Sequence, residues 1–161
     1  AWNYVNNKEP LAHLVLVGGG QSDTWERMAK RLGCRGSMSF VGTVDDPDLY
    51  YCHAAVFVLP SRYEGMSNAL LEAQSWGIPC VASDIPANRA VVEHGVSGFL
   101  FQVDDYKAMA EYVIKLLSNE DLSVRIGQNA RINVEEKFDI NSIAGVLLEH
   151  YKFILGEGVG R

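Results

Sequence analysis

The chain has 161 residues, 48% of them apolar and 21% charged, with a formal net charge of −6. That is one globular domain with enough chain to bury a core, and not a disordered tail. The acidic balance, without a basic stripe or a block of like charges, argues against a nucleic-acid partner, and no apolar run approaches the ~18 residues of a membrane span.

Two periodicities alternate along the chain. HLVLVG, residues 13–18, is a β-branched and Leu-rich run that ends in glycines and predicts a buried strand. Residues 23–32 read as a helix, capped by Ser22 or Asp23 and stopped at Gly33. MSFVG at 38–42 is the second strand, and 47–54 a short helix with acidic residues at its start. VFVLP at 56–60 is the third strand, and its unbroken apolar run suits a sheet covered on both faces. A helix over 67–76 is closed by Gly77 and Pro79, and CVAS at 80–83 is the fourth strand. A short helix at 88–93 leads to a fifth strand, GFLF, at 98–101. Helices follow at 106–117, 122–137 and 140–155, and the GEGVGR tail at 156–161 is expected to fray. The whole chain, 1–161, reads as one domain.

Strands alternating with helices argue for a Rossmann-like α/β fold, a parallel sheet with helices on both faces. Ligands of such sheets bind beyond the carboxyl ends of the strands. The densest polar signal lies there, in VFVLPSRYEGMSNALLEAQSWGIPCVASD. Glu64 sits in the loop after the third strand and Glu72 within the next helix, with seven residues between them. The helix start at Ser67 and Asn68 offers unpaired N–H groups and a positive dipole end for a diphosphate, and Gly65 lets backbone approach closely. A carboxylate can accept from two vicinal hydroxyls of a ribose or hexose. Spacing alone leaves two readings open: a site, or two solvated surface charges.

Other residues offer less. Cys34, Cys52 and Cys80 are scattered and odd in number with no CxxC pair, which suggests neither zinc nor a disulfide framework and points to the cytoplasm. Cys52 and Cys80, in apolar surroundings, are expected to be buried. Asp46 and Asp48 flank Pro47 like a metal-binding pair, but acidic residues before a helix are ordinary capping. His94, in a turn before Gly95, is expected to be structural. Gly18, Gly19 and Gly20 fit a ligand-facing loop and a simple tight turn equally well.

The stretch EGMSNALLE followed by AQSWGIPCVASD resembles the E-x7-E signature of the retaining GT-B glycosyltransferases of the family 4 type, glycosyl transferases group 1. Cys80 stands where valine is commoner. The likeness extends to EHGVSGFLF, LVLVGGG and FVGTVDD and covers nearly the whole chain. It implies the C-terminal, donor-binding domain of such an enzyme, which transfers a hexose or N-acetylhexosamine from a nucleotide-diphosphate sugar to a glycan or lipid-linked acceptor. A role in polysaccharide biosynthesis follows from the same likeness. Uridine-linked donors are favoured over guanosine-linked ones, with no metal and no cofactor.

By the resemblance, Glu64 is the catalytic-site carboxylate facing the donor sugar, and Glu72 holds the ribose hydroxyls. Gly65, Met66, Ser67 and Asn68 form the turn whose amides face phosphates and sugar, with Met66-Ser67 in place of the common Phe-Gly. Gly19 and Gly20 lie on the phosphate side. Val41, Gly42, Thr43 and Val44 form the loop whose backbone meets the base, and Ser61 and Arg62 lie near that base.

The resemblance also implies elements that the 161 residues do not contain: an acceptor-binding N-terminal domain, and the donor domain's first strand with the basic residues after it. That strand would lie between HLVLVG and VFVLP. Either the five strands close over its place, or two edges stay open for another chain, including a second copy. The alternative function is a non-catalytic nucleotide-binding or interaction module derived from such an enzyme. The expected location is cytoplasmic, with the inner face of the membrane an option for a full-length protein.

Overall fold

Parallel neighbours cannot be joined by a tight turn, so the paired strands here are joined through helical crossovers. The computed structural model describes residues 1–20 and 22–155; the expected tail at 156–161 lies outside them. Strand β1 (Leu14–Val17) pairs with β2 (Met38–Gly42), and β3 (Phe57–Leu59), β4 (Cys80–Ser83) and β5 (Phe99–Phe101) form a second sheet in that order. All pairs are parallel, with Val15 opposite Ser39, Val58 opposite Val81, and Ala82 opposite Leu100. The strands expected in one sheet therefore form two, with β1 and β3 as edge strands. Each keeps one edge without a strand partner among the described residues. The five strands do not close over the place where the resemblance puts another strand.

The helices are α1 (Trp2–Lys8), α2 (Ser22–Arg31), α3 (Asp48–Tyr51), α4 (Asn68–Ser75), α5 (Pro86–Val91), α6 (Tyr106–Leu117), α7 (Glu120–Lys137) and α8 (Ile140–Ile154). Capping explains where two of them depart from the expected bounds. Asn119 accepts from the Leu122 N–H at 2.9 Å and starts α7 two residues early. Pro86 takes the first position of α5, whose fixed φ suits it.

Side chains of a strand alternate between its faces, and β4 uses both. Val81 packs in one apolar cluster with Val5, Phe99, Phe101, Val113 and Ile126. Cys80 and Ala82 pack in the other with Tyr51, Leu70, Ala73 and Val91. Helices α1 and α6 thus cover one face of β3–β4–β5, while α3, α4 and α5 cover the other. Helix α7 crosses α4 so closely that a Cβ on Gly127 would overlap the Gly77 carbonyl oxygen.

The expectation of a buried first strand is overturned. Val15, Leu16 and Val17 of β1 are exposed: one edge has no strand partner among the described residues, and no β1 residue belongs to either apolar cluster. Cys52 is also exposed, just past the last turn of α3, whereas Cys34 and Cys80 are buried. Burial pushes the Cys80 thiol well above its ordinary range. Among the described residues no helix is long and apolar enough to cross a membrane.

Candidate functional site

Helix α4 begins one residue after Ser67, which has extended backbone and turns its own hydroxyl inward as the cap. Ser67 Oγ accepts from the Leu70 N–H at 3.3 Å. The Asn68 and Ala69 N–H groups remain as donors of the first turn, pointing back toward the β3–α4 loop. In that loop Gly65 leaves open space, since a Cβ there would meet nothing within 4 Å. Met66 is exposed and Ser67 buried.

Each glutamate of the pair is held by a hydroxyl from a neighbouring element. Ser61, just past β3, donates to Glu64 Oε1 at 2.7 Å. Tyr51, the last residue of α3, donates to Glu72 Oε2 at 3.0 Å. Burial, and then the hydrogen bond and charge of Glu72, hold the Tyr51 hydroxyl well above its ordinary range, so it keeps the proton it donates. Glu64 is half-buried and Glu72 exposed, and each carboxylate keeps one hydroxyl partner.

A buried chain of hydrogen bonds stands behind Glu64. Asn88 Nδ2 of α5 donates to the Ser83 carbonyl at 2.9 Å and to Ser83 Oγ at 3.2 Å. The Ser83 hydroxyl in turn donates to the carbonyl of Ser61. The end of β4 therefore fixes the backbone of the residue whose side chain holds Glu64. Ser83 and Asn88 are both buried.

The remaining expected residues fall in a second group at the ends of β1 and β2. Gly18 and Gly20 have φ of 134° and 132°, a region open to glycine and costly for other residues. The Gly18 N–H donates to the Gly42 carbonyl at 2.8 Å. A Cβ on Gly19 would lie 3.1 Å from Thr43 Oγ1. So Gly18–Gly20 and Val41–Val44 form one loop cluster, with Val41 and Thr43 exposed. Among the described residues, no hydrogen bond joins this cluster to the Glu64–Glu72 group. Arg62 points to Asp104, with 2.8 Å between its Nη2 and Oδ1. Both side chains are solvated, so the ion pair is weak and leaves Arg62 available to a ligand.

Asp46 Oδ1 accepts from the Asp48 N–H at 3.0 Å, the capping use of that acidic pair. His94 is structural as expected: Nδ1 accepts from the Leu100 N–H at 3.0 Å, and its ring meets Phe99 and Tyr112 edge-on. Next to the site, Asp84 accepts from Arg89 at 2.5 and 3.0 Å and from Gln102 at 2.8 Å. Hydrogen bonding from Arg89 is the main cause that lowers the Asp84 carboxyl below its ordinary range.

Sequence reasoning missed Tyr51, Ser83 and Asn88. Tyr51 lies 21 positions from Glu72, and Ser83 lies 22 from Ser61. No local pattern links such pairs. The one sequence signal for Ser83 is its place at the carboxyl end of a strand.

The sequence and the fold are similar to those of known proteins. The chain resembles the capsular polysaccharide biosynthesis glycosyltransferase CapM of Staphylococcus aureus, 36% identical over 118 residues, which cover 73% of this chain and 31% of that protein. An Escherichia coli UDP-Gal:alpha-D-GlcNAc-diphosphoundecaprenol alpha-1,3-galactosyltransferase is 30% identical over 137 residues, 84% of this chain and 35% of that protein. Among solved structures, Anabaena Alr3699/HepE in complex with UDP superposes with a TM-score of 0.86 at 21% identity, over 94% of this chain and 44% of that one, a likeness of fold. Staphylococcus aureus TarM, in complex with UDP and other ligands, gives 0.85 at 25% identity, over 91% and 30%. The chain thus spans less than half the length of each of these proteins. The family description "Glycosyl transferases group 1" matches residues 1–133, and the chain belongs to that family.

Proposed function

We propose that the chain is the donor-binding part of a retaining, metal-independent glycosyltransferase, and that its site takes a uridine-diphosphate sugar. The observation that carries this is the tethered pair: Glu64 and Glu72, each held by a neighbouring hydroxyl, on either side of the exposed start of α4. In this reading Glu72 accepts from the two ribose hydroxyls. The Asn68 and Ala69 amides and the dipole of α4 meet the diphosphate. Glu64, two residues past Arg62, faces the sugar, a hexose or N-acetylhexosamine. The loop of Val41, Gly42, Thr43 and Val44 meets the base with its backbone, with Ser61 and Arg62 near it, and Gly19 and Gly20 close the phosphate side.

Uridine is favoured because two of the similar structures carry UDP. A glycan or lipid-linked acceptor is supported by the names of the relatives. The acceptor must be held opposite the donor, since transfer depends on both reactants being positioned together. The 161 residues supply only donor-side groups in this reading, and alone they transfer no sugar.

Calorimetric titration of UDP and GDP against the parent and Glu72→Ala tests the assignment. The expected result is tighter binding of UDP, and a loss of about 1.5–3 kcal/mol on removing the charged acceptor. Equal UDP affinity for parent and variant would take Glu72 out of the site. A second reading, a non-catalytic interaction module, draws on the unpaired edges of β1 and β3. Concentration-dependent self-association without nucleotide binding would favour it.

A further inference from the structure

Glu72 lies on the exposed side of a helix of eight residues. A carboxylate on three rotatable bonds there would sample many rotamers, and fixing it on a ligand costs entropy. Tyr51 removes that freedom beforehand. Its ring is packed in the core with Leu70, Ala73 and Phe57, the last at 6.0 Å between ring centroids, and only 8% of the residue is exposed. From this anchored base its hydroxyl reaches Glu72 Oε2 at 3.0 Å and approaches the Ala69 carbonyl at 3.4 Å.

The hydroxyl has one proton, and the shorter contact takes it. A second lone pair on Oε2 remains, and Oε1 has no protein donor among the described residues. Three lone-pair positions are thus left open on one oriented carboxylate, enough for two vicinal hydroxyls.

We propose that Tyr51 is a positioning residue for the nucleotide: it fixes Glu72 in the rotamer that receives the ribose, and so sets how strongly the site distinguishes a ribose from a sugar without hydroxyls. The inference rests on the donor-site reading given above. Tyr51 touches no ligand itself. A purely structural tyrosine would need only a partner for its hydroxyl, and the Ala69 carbonyl could serve. A positioning tyrosine acts on ribose recognition alone.

The test is a double-mutant cycle read with two probes, UDP and 2′,3′-dideoxy-UDP, in calorimetry on parent, Tyr51→Phe, Glu72→Ala and the double variant. Phenylalanine keeps the ring in the core, and thermal unfolding of each variant monitors the fold. Tyr51→Phe should weaken UDP about fivefold, the size of one lost hydrogen bond, and leave the dideoxy probe unchanged. In the Glu72→Ala background the same change should have no effect on either probe. Equal weakening of both probes by Tyr51→Phe, or an undiminished effect in the Glu72→Ala background, overturns the positioning role. Failure of the parent to bind UDP, or of Glu72→Ala to weaken it, overturns the donor-site reading instead.

Discussion

Strands β1 and β4 are short apolar runs in the same chain, each in parallel pairing, yet they meet opposite environments. All four residues of β4 are no more than 1% exposed, while Val15, Leu16 and Val17 of β1 are 39–44% exposed. β4 has a strand on both edges and an apolar cluster on both faces. β1 has β2 on one edge and no residue in either cluster. An apolar run specifies a strand, but its burial depends on elements far away in sequence. The half built on β3–β4–β5 carries both glutamates and the hydroxyls that hold them. The half built on β1–β2 carries the glycine loop and its neighbour at Thr43.

The contrast is most directly broken by two leucine truncations. Leu70 is fully buried on the inner face of α4, whereas Leu16 in β1 is exposed. Leu70→Ala should destabilise the chain by about 2–5 kcal/mol, transfer loss plus cavity. Leu16→Ala should cost less than about 1 kcal/mol, because little of its apolar area leaves water on folding. Urea denaturation of both variants checks this, and similar losses would mean that β1 is covered in solution.

A smaller effect is expected where α7 crosses α4. Gly127→Ala drives a methyl into the Gly77 carbonyl oxygen and forces the two helices apart. The expected cost is about 1–3 kcal/mol, typical of an overpacked contact. Gly36, on the β2 side, has open space around its Cβ position and should accept alanine without loss. A shift in denaturation midpoint for Gly36→Ala as large as that for Gly127→Ala would contradict the division.

Next comes the chemistry of the two halves. In the proposed site the β3 side works through side chains and the β2 side through backbone. In a transferring polypeptide that contains this chain, Glu64→Gln should lower the rate about tenfold or more, or at least ~1.4 kcal/mol in the barrier. Free-nucleotide affinity should change little, since the free nucleotide has no sugar to meet Glu64. Thr43→Ala should alter neither by more than about twofold, because a backbone contact survives the substitution. Steady-state rates beside calorimetric affinities separate these outcomes, and poor nucleotide binding with a normal rate in Glu64→Gln would reverse the assignment.

Local chemistry made much of this legible. The order of strands and helices follows from periodicity and turn residues, and α6 spans the expected residues from Tyr106 to Leu117. The pairing of a loop glutamate with a helix glutamate followed from spacing and from the resemblance. What stayed hidden depends on contacts between distant positions. The exposure of β1 reflects a neighbour it lacks, and that of Cys52 reflects where α3 ends. The Tyr51–Glu72 bond and the Asn88–Ser83–Ser61 chain arise when crossovers bring separate strand ends together. A tyrosine in DLYY and a serine in CVASD carry no mark of those partners.

The smallest effect belongs to the ion pair at the carboxyl end of β4. Asp84 is held below its ordinary carboxyl range, first by the hydrogen bond from Arg89 and then by its charge, with a further bond from Gln102 and the charge of His94 acting in the same direction. A carboxyl lowered in the folded state contributes stability that is fully present above the unfolded value of about 3.9, and that is lost as pH falls through the folded value. Asp84→Asn removes this contribution. The variant should therefore unfold at slightly lower urea than the parent at pH 7, and the gap should close as pH drops below about 4. Because Arg89 is largely solvated, added salt should narrow the gap at neutral pH. The carboxyl ends of β1 and β2 meet through the Gly18–Gly42 backbone bond, and Thr43 carries no ionisable group, so Thr43→Ala should show a pH-independent difference from the parent. A gap for Asp84→Asn that persists unchanged from pH 7 to below the folded carboxyl range would mean that the carboxylate's charge is not what it contributes.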